Sequence, residues 1–128
     1  IEVEDLTKHK MDSEEMYIDE DNARLINETK ARGNSVVAIG TTTMKALETS
    51  VTIPGRIKSY KGWTNKFIFP PYDFGIADAM VTNFHMPKSP MMMQAAAFAD
   101  YDFLMKAYKE AVNEKYRFFT YGDAMLIL

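Results

Sequence analysis

The chain has no cysteine. That excludes disulfides and thiolate chemistry, and it removes the usual ligand of a structural zinc. Histidine is nearly as scarce, with only His9 and His85. Two imidazoles without carboxylates at ligand spacing do not make a metal centre, so no metal is expected. No apolar run reaches the length of a membrane span, because the longest ones are broken by Lys, Gln, Asp and Pro. No signal peptide is expected either. The Gly-Lys-Ser/Thr ending of a Walker loop is missing, and so is a Ser-His-Asp order with a nucleophile elbow. There is no internal repeat and no low-complexity tract. These absences point to a reducing, cytoplasmic setting with no membrane partner.

What is present fits one domain with a real core. Apolar residues make up 47% of the 128 positions and charged residues 26%, ordinary values for a globular protein. Charge is uneven. Residues 1–30 hold ten acidic and four basic side chains, whereas residues 31–128 hold eight and eleven. An acidic leader thus precedes a mildly basic body. Scattered lysines could attract phosphate, though such lysines usually form a solvated surface. The chain opens at Ile1 in a charged, strand-poor stretch. We expect residues 1–128 to be one α/β unit of a longer chain.

Helices and strands alternate. A short strand is expected at Glu15–Ile18, then a helix capped by Asp19 or Asp21 and running to about Arg32. Ser35–Ile39 is continuous in apolar character and reads as a buried parallel strand. A helix from Thr42 or Thr43 to about Ser50 follows Gly40. Residues 51–62 read as a loop, and Phe67–Phe69 as a short strand ended by Pro70-Pro71. Ala77–Val81 reads as a strand and Pro90–Ala99 as a helix, with Ser89 at its N-cap and Pro90 at its first position. Asp102–Tyr116 carries an apolar stripe of Phe103, Leu104, Ala107, Tyr108, Ala111 and Val112. Phe118-Phe119 and Ala124–Leu128 are expected as closing strands. The pattern predicts an α/β fold, a partly parallel sheet with flanking helices.

Two strand-to-helix junctions could carry chemistry. Thr82-Asn83-Phe84-His85-Met86-Pro87-Lys88-Ser89-Pro90 sets an amide, an imidazole, an ammonium and a hydroxyl where α/β proteins hold polar ligands. Alternatively, His85 only supports the turn. Gly40-Thr41-Thr42-Thr43 offers free N–H groups and hydroxyls to an anion, or a threonine there merely caps the helix. Lys45 and Glu48, about one turn apart, could face a ligand or form a surface ion pair. Met91-Met92-Met93 with Ala95–Phe98 suits a core helix better than a ligand box. Trp63 and Tyr60 beside Lys61 and Lys66 could stack a base or simply pack.

Several strings occur in one order. They are His9-Lys10-Met11-Asp12-Ser13-Glu14, Gly40-Thr41-Thr42, Leu47-Glu48, Gly62-Trp63-Thr64, Phe67-Ile68-Phe69-Pro70, the nonamer from Thr82, Ala107-Tyr108-Lys109-Glu110-Ala111 and Tyr116–Ile127. Together they resemble the C-terminal part of the S-adenosylmethionine:tRNA ribosyltransferase-isomerase family of the queuosine pathway. The resemblance covers nearly the whole chain. It implies a longer two-domain enzyme, with the N-terminal remainder, S-adenosylmethionine and tRNA as partners. S-adenosylmethionine would be a co-substrate, with no separate cofactor. The implied reaction moves and isomerises its ribosyl part onto 7-aminomethyl-7-deazaguanine in tRNA, giving epoxyqueuosine, adenine and methionine.

Such a reaction needs a base for the acidic proton beside the sulfonium, help for the leaving adenine and exclusion of water. His85 is the first candidate base because imidazole titrates near neutrality. Glu14 and Glu48 are the alternatives. Gly40, Thr41, Thr42, Lys45, Trp63, Thr64, Asn83, Phe84, Lys88, Ser89 and Asp123 are the candidate binding residues. The chain also departs from the family strings. Asp12 stands for a His, Lys45 for an Arg, Asn65 for an Asp, Pro71 for a Gly and Pro90 for a Thr or Ser. Gln94-Ala95-Ala96 and Asp100 differ too. A second reading therefore stays beside the enzyme: a diverged paralogue that binds S-adenosylmethionine or RNA without this turnover.

Overall fold

A computed structural model of the chain describes residues 13–86, 89–119 and 121–128. Strand β1 (Glu14–Ile18) leads into helix α1 (Glu20–Ala31). The Asp19 carboxylate caps α1 by accepting from the Asn22 amide at 2.7 Å, which satisfies one of the orphan donors of the first turn. There follow β2 (Val37–Ile39), α2 (Thr41–Thr49), β3 (Val51–Ile53), β4 (Arg56–Ile57) and β5 (Tyr60–Thr64). The chain ends with β6 (Ala79–Asn83), α3 (Pro90–Phe98), α4 (Tyr101–Asn113) and β7 (Ala124–Ile127).

The expected mixed α/β fold with a partly parallel sheet is present. β6 is the central strand of a three-stranded sheet, parallel to β2 and antiparallel to β7. Ile39 lies opposite Val81, and Asn83 opposite Ala124. The C-terminal ends of β2 and β6 therefore lie side by side, and the start of β7 joins them. A separate antiparallel ladder pairs β1 with β5, setting Glu14 beside Thr64.

Two apolar clusters hold these elements. One joins Ala23 of α1, Ala38 of β2, Met44 and Leu47 of α2 and Met80 of β6 to Ile57, Ile68 and Ile76. The other joins Phe84 to Met92, Ala95 and Ala96 of α3 and to Leu104, Tyr108 and Ala111 of α4. Ile127 packs against both. Met44 and Met80 are fully buried, each contributing roughly 1.5–3 kcal/mol of apolar transfer.

Four expectations are corrected. β2 is not buried on both faces: Val36 and Ala38 point inward while Val37 and Ile39 are 47% and 69% exposed. Among the described residues, that face has no covering layer. The stretch 51–62 is not a plain loop, because Pro54-Gly55 closes a hairpin between β3 and β4 and β5 begins at Tyr60. Phe67–Phe69 joins no ladder among the described residues. Its fixed point is Ile68, sunk in the first cluster, with the Phe67 and Phe69 rings 5.1 Å apart beside it. Phe118-Phe119 is a turn, with Phe119 at φ 71°, anchored by its amide donating to the Phe84 carbonyl at 2.9 Å. Gly122 allows that turn, since a Cβ there would lie 2.6 Å from the Arg117 carbonyl oxygen.

Smaller shifts concern boundaries. β6 runs on to Asn83, so Thr82 and Asn83 belong to the strand. α4 is capped by Asp100, whose carboxylate accepts from the Phe103 amide. Within its apolar stripe only Leu104, Tyr108 and Ala111 are buried, while Phe103 and Val112 face outward. His9 and Asp12 lie outside the described residues.

Candidate functional site

The strand ends meet around a cavity of about 550 Å³. β2 and α2 contribute Ile39, Gly40, Thr41 and Thr42 to its wall, β6 contributes Val81, Thr82 and Asn83, and the following turn contributes His85 and Met86. Ser89, Met91, Phe119 and Ala124 complete it. This is the position where parallel α/β sheets bind ligands, beyond the carboxyl ends of the strands.

Gly40 makes the mouth of α2. It is the N-cap residue, at φ 97° and ψ 151°, and no side chain caps the helix. That backbone region is essentially closed to residues with a Cβ. The threonine-cap alternative is thereby excluded, and among the described residues the first-turn amides of α2 have no side-chain acceptor. Their partial positive charge favours an anionic or electron-rich group. At the neighbouring junction, Ser89 caps α3 by accepting from the Met92 amide at 3.1 Å. Gln94 of α3 ties the two junctions together, its side-chain N–H donating to the Thr41 carbonyl at 3.0 Å.

His85 is held at two points. Its backbone amide donates to the Tyr108 hydroxyl at 2.9 Å, and its Nε2 is 2.7 Å from the Thr82 hydroxyl. Burial pushes the imidazole below its usual 6.5, because a desolvated ring resists charge. The ring is therefore neutral near pH 7 and able to accept a proton. Burial also raises the Tyr108 phenol, against the opposing pull of the His85 amide. Asn83 reaches the other side of the site, its side-chain amide donating to the Asp123 carbonyl at 3.2 Å. The Asp123 carboxylate accepts from the Arg117 amide at 2.7 Å, so it closes the 117–123 turn rather than facing the cavity.

The structure thus gathers six of the residues singled out in the sequence: His85, Gly40, Thr41, Thr42, Asn83 and Ser89. A second group lies elsewhere, along α2 and the β1–β5 ladder. Lys45, almost fully buried, forms an ion pair with Glu14. Thr64 is buried against Thr49, their hydroxyls 2.8 Å apart. Trp63 of β5 is exposed, and its carbonyl accepts from the Tyr60 hydroxyl.

Glu48 belongs to neither group. Its buried carboxylate accepts from the Gly75 and Ile76 amides at 2.6 and 3.0 Å. The Tyr72 phenol beside it is pushed up to about 12 by burial, then by the Glu48 charge and hydrogen bond. Lys45 and Glu48 therefore form neither a surface pair nor a shared ligand face. Phe84 is buried among the rings of Tyr108, Tyr116 and Phe118. Lys88 lies outside the described residues. Sequence reasoning singled out neither Thr82 nor Met86 as a site residue, although both sit in the central nonamer, and it missed the lining role of Phe119. Tertiary packing brings them to the cavity, and no local pattern shows it.

A family described as "Queuosine biosynthesis protein" matches residues 1–127. The S-adenosylmethionine:tRNA ribosyltransferase-isomerases of Phocaeicola vulgatus and Bacteroides fragilis are 58% and 59% identical over 128 residues. Each match covers 100% of this chain and 36% of the relative, so the chain spans about a third of their length. The crystal structure of the S-adenosylmethionine tRNA ribosyltransferase of Thermotoga maritima superposes with a TM-score of 0.82 at 51% identity. That match covers 88% of this chain and 39% of the other. The strings, the fold and these matches agree: the chain belongs to the queuosine biosynthesis protein family.

Proposed function

We propose that the protein carrying this chain modifies tRNA by transferring and isomerising the ribosyl part of S-adenosylmethionine. The acceptor is 7-aminomethyl-7-deazaguanine in tRNA, and the products are epoxyqueuosine-tRNA, adenine and methionine. The observation that carries this reading is a neutral, pinned imidazole sharing one cavity with an uncapped helix mouth. His85 serves as the base that takes the acidic proton beside the sulfonium. The amides of Thr41 and Thr42 and the side chain of Asn83 position electron-rich edges of the ligand. Ile39, Val81, Met91 and Phe119 supply apolar wall that keeps water from the reacting carbon. Lys88, adjoining in sequence, meets a phosphate or carboxylate.

The remaining two-thirds of the chain length known from the relatives supplies the opposite wall and the tRNA surface. The bare face of Val37 and Ile39 suits coverage by that remainder. In this reading Glu48 and the Glu14–Lys45 pair brace α2 and take no proton from the substrate. The cytoplasm, where tRNA and S-adenosylmethionine meet, is the setting.

The test is adenine release from S-adenosylmethionine by the full-length protein, with tRNA bearing the aminomethyl-deazaguanine. Release that depends on that tRNA is expected. His85→Ala should lower it by about 100-fold or more, the scale of a lost general base, with melting little changed. Binding of S-adenosylmethionine or RNA without release would support the diverged-paralogue reading instead. Near-normal release by the Ala variant would remove His85 from the mechanism.

A further inference from the structure

We infer that Thr82 is a positioning residue that fixes which nitrogen of His85 accepts the proton: its hydroxyl takes the Nε2 hydrogen, leaving the lone pair on Nδ1. The inference rests on His85 acting as the base, as proposed above. Thr82 lies on β6, its side chain 4% exposed, three residues before the ring it touches. The 2.7 Å separation from Nε2 is that of a made hydrogen bond, so Nε2 is occupied. Any proton taken from a ligand must then go to Nδ1, and a neutral ring can offer Nδ1 only if Nε2 carries the hydrogen. In the tautomer that the base role requires, the buried hydroxyl accepts from Nε2–H, in the place where many catalytic histidines use a carboxylate.

The arrangement is rigid on both sides. Tyr108 holds the His85 backbone through its phenol, and the β6–β7 register sets Thr82 opposite Met125. Of the titratable groups on the surrounding elements, Tyr108 faces the backbone amide of His85, and Asp123 is turned to Arg117. Burial lowers the ring's proton affinity, and no charged group faces it among the described residues. A hydroxyl suits this setting. It orients the ring without adding a charge that would raise the imidazole above neutrality.

Four forms of the full-length protein test this: wild type, Thr82→Val, Thr82→Ser and His85→Ala. The readouts are kcat, KM and the pH profile of adenine release, with melting as the fold check. Thr82→Val keeps shape and removes the hydroxyl. It is expected to lower kcat roughly 10- to 100-fold, as a misaimed group does, with KM little changed. Its acid limb should move to lower pH, because the imidazolium loses an acceptor. Thr82→Ser should restore most of kcat and the wild-type limb.

An upward move of the limb in the Val variant would mean that the hydroxyl donates to Nε2, which overturns the inference. Equal losses in the Val and Ser variants would put the effect on side-chain shape and overturn it too. Full activity of Thr82→Val beside an inactive His85→Ala would reject Thr82 while keeping the base. An active His85→Ala would instead reject the base reading itself.

Discussion

The two helix mouths at the strand ends occupy like positions in the fold and differ in chemistry. α2 and α3 both follow a strand of the same sheet, and both open onto one cavity. At α3 the Ser89 hydroxyl accepts from the Met92 amide, and Ser89 is buried at 2% exposure. At α2 the N-cap is Gly40, which has no side chain to offer. One mouth is closed by its own residue, and the other leaves its donors for something else. A polar residue that looks like a ligand contact in sequence can therefore spend its polarity on the fold. A glycine can contribute more to binding than the hydroxyls around it, by what it does not carry.

Removing the open mouth should have the largest effect. Gly40→Ala places a Cβ near nothing closer than the Thr43 hydroxyl, 3.9 Å away, so crowding is not the cost. The cost is the backbone at φ 97°, of order 1–3 kcal/mol. Relief of that strain would rotate the amides at the mouth. Calorimetry should show weakened S-adenosylmethionine binding together with a lower Tm. Unchanged binding would place the ligand elsewhere.

Opening the closed mouth should cost less. Ser89→Ala removes a cap, worth about 1 kcal/mol of stability, read as a drop in the chemical-denaturation midpoint. Ligand affinity should change far less than in the Gly40 variant. If affinity falls as much, the hydroxyl serves the ligand as well as the helix.

Cutting the tie between the mouths should be milder still. Gln94 donates to the Thr41 carbonyl, but its own buried carbonyl oxygen has no partner among the described residues. Gln94→Leu loses one hydrogen bond and one unsatisfied acceptor together, effects that offset within about 1 kcal/mol. Near-zero change in Tm is expected, and a drop beyond that range would show the tie to be essential.

The smallest effect is expected from pH. His85 titrates lower when folded than its ordinary 6.5. In that window the unfolded chain binds more protons, so stability falls as pH drops through about 6.5 toward the folded value. His85→Gln should flatten this part of the Tm–pH curve. An unflattened curve would mean that the ring is not desolvated.

Much of this was legible in the chain. Asp19 and Ser89 announced their helices through cap chemistry, and both caps are made. The ordered strings carried the family because they join backbone-critical glycines to clustered polar residues. What failed, failed for long-range reasons. The run Ser35–Ile39 has the composition of a strand covered twice, yet one face is bare among the described residues. Phe67–Phe69 has strand composition but forms no strand among the described residues. The Glu48 carboxylate looked available because nothing in sequence brings Gly75 and Ile76 to it.

Sequence alone determined the local chemistry: the capped starts of α1 and α3, the glycine at residue 40, and the lack of thiols. Those depend on neighbours a few residues away. Tertiary structure decided which polar groups remain free. Pairing β2 with β6, and β6 with β7, brought Gly40, Thr41, Thr42, Thr82, Asn83, His85, Phe119 and Ala124 to one cavity. The same packing committed Lys45 to Glu14 and Glu48 to two amides. The reason is that a hydrogen bond or ion pair needs partners within about 3–4 Å, and the partners that count here lie tens of residues apart.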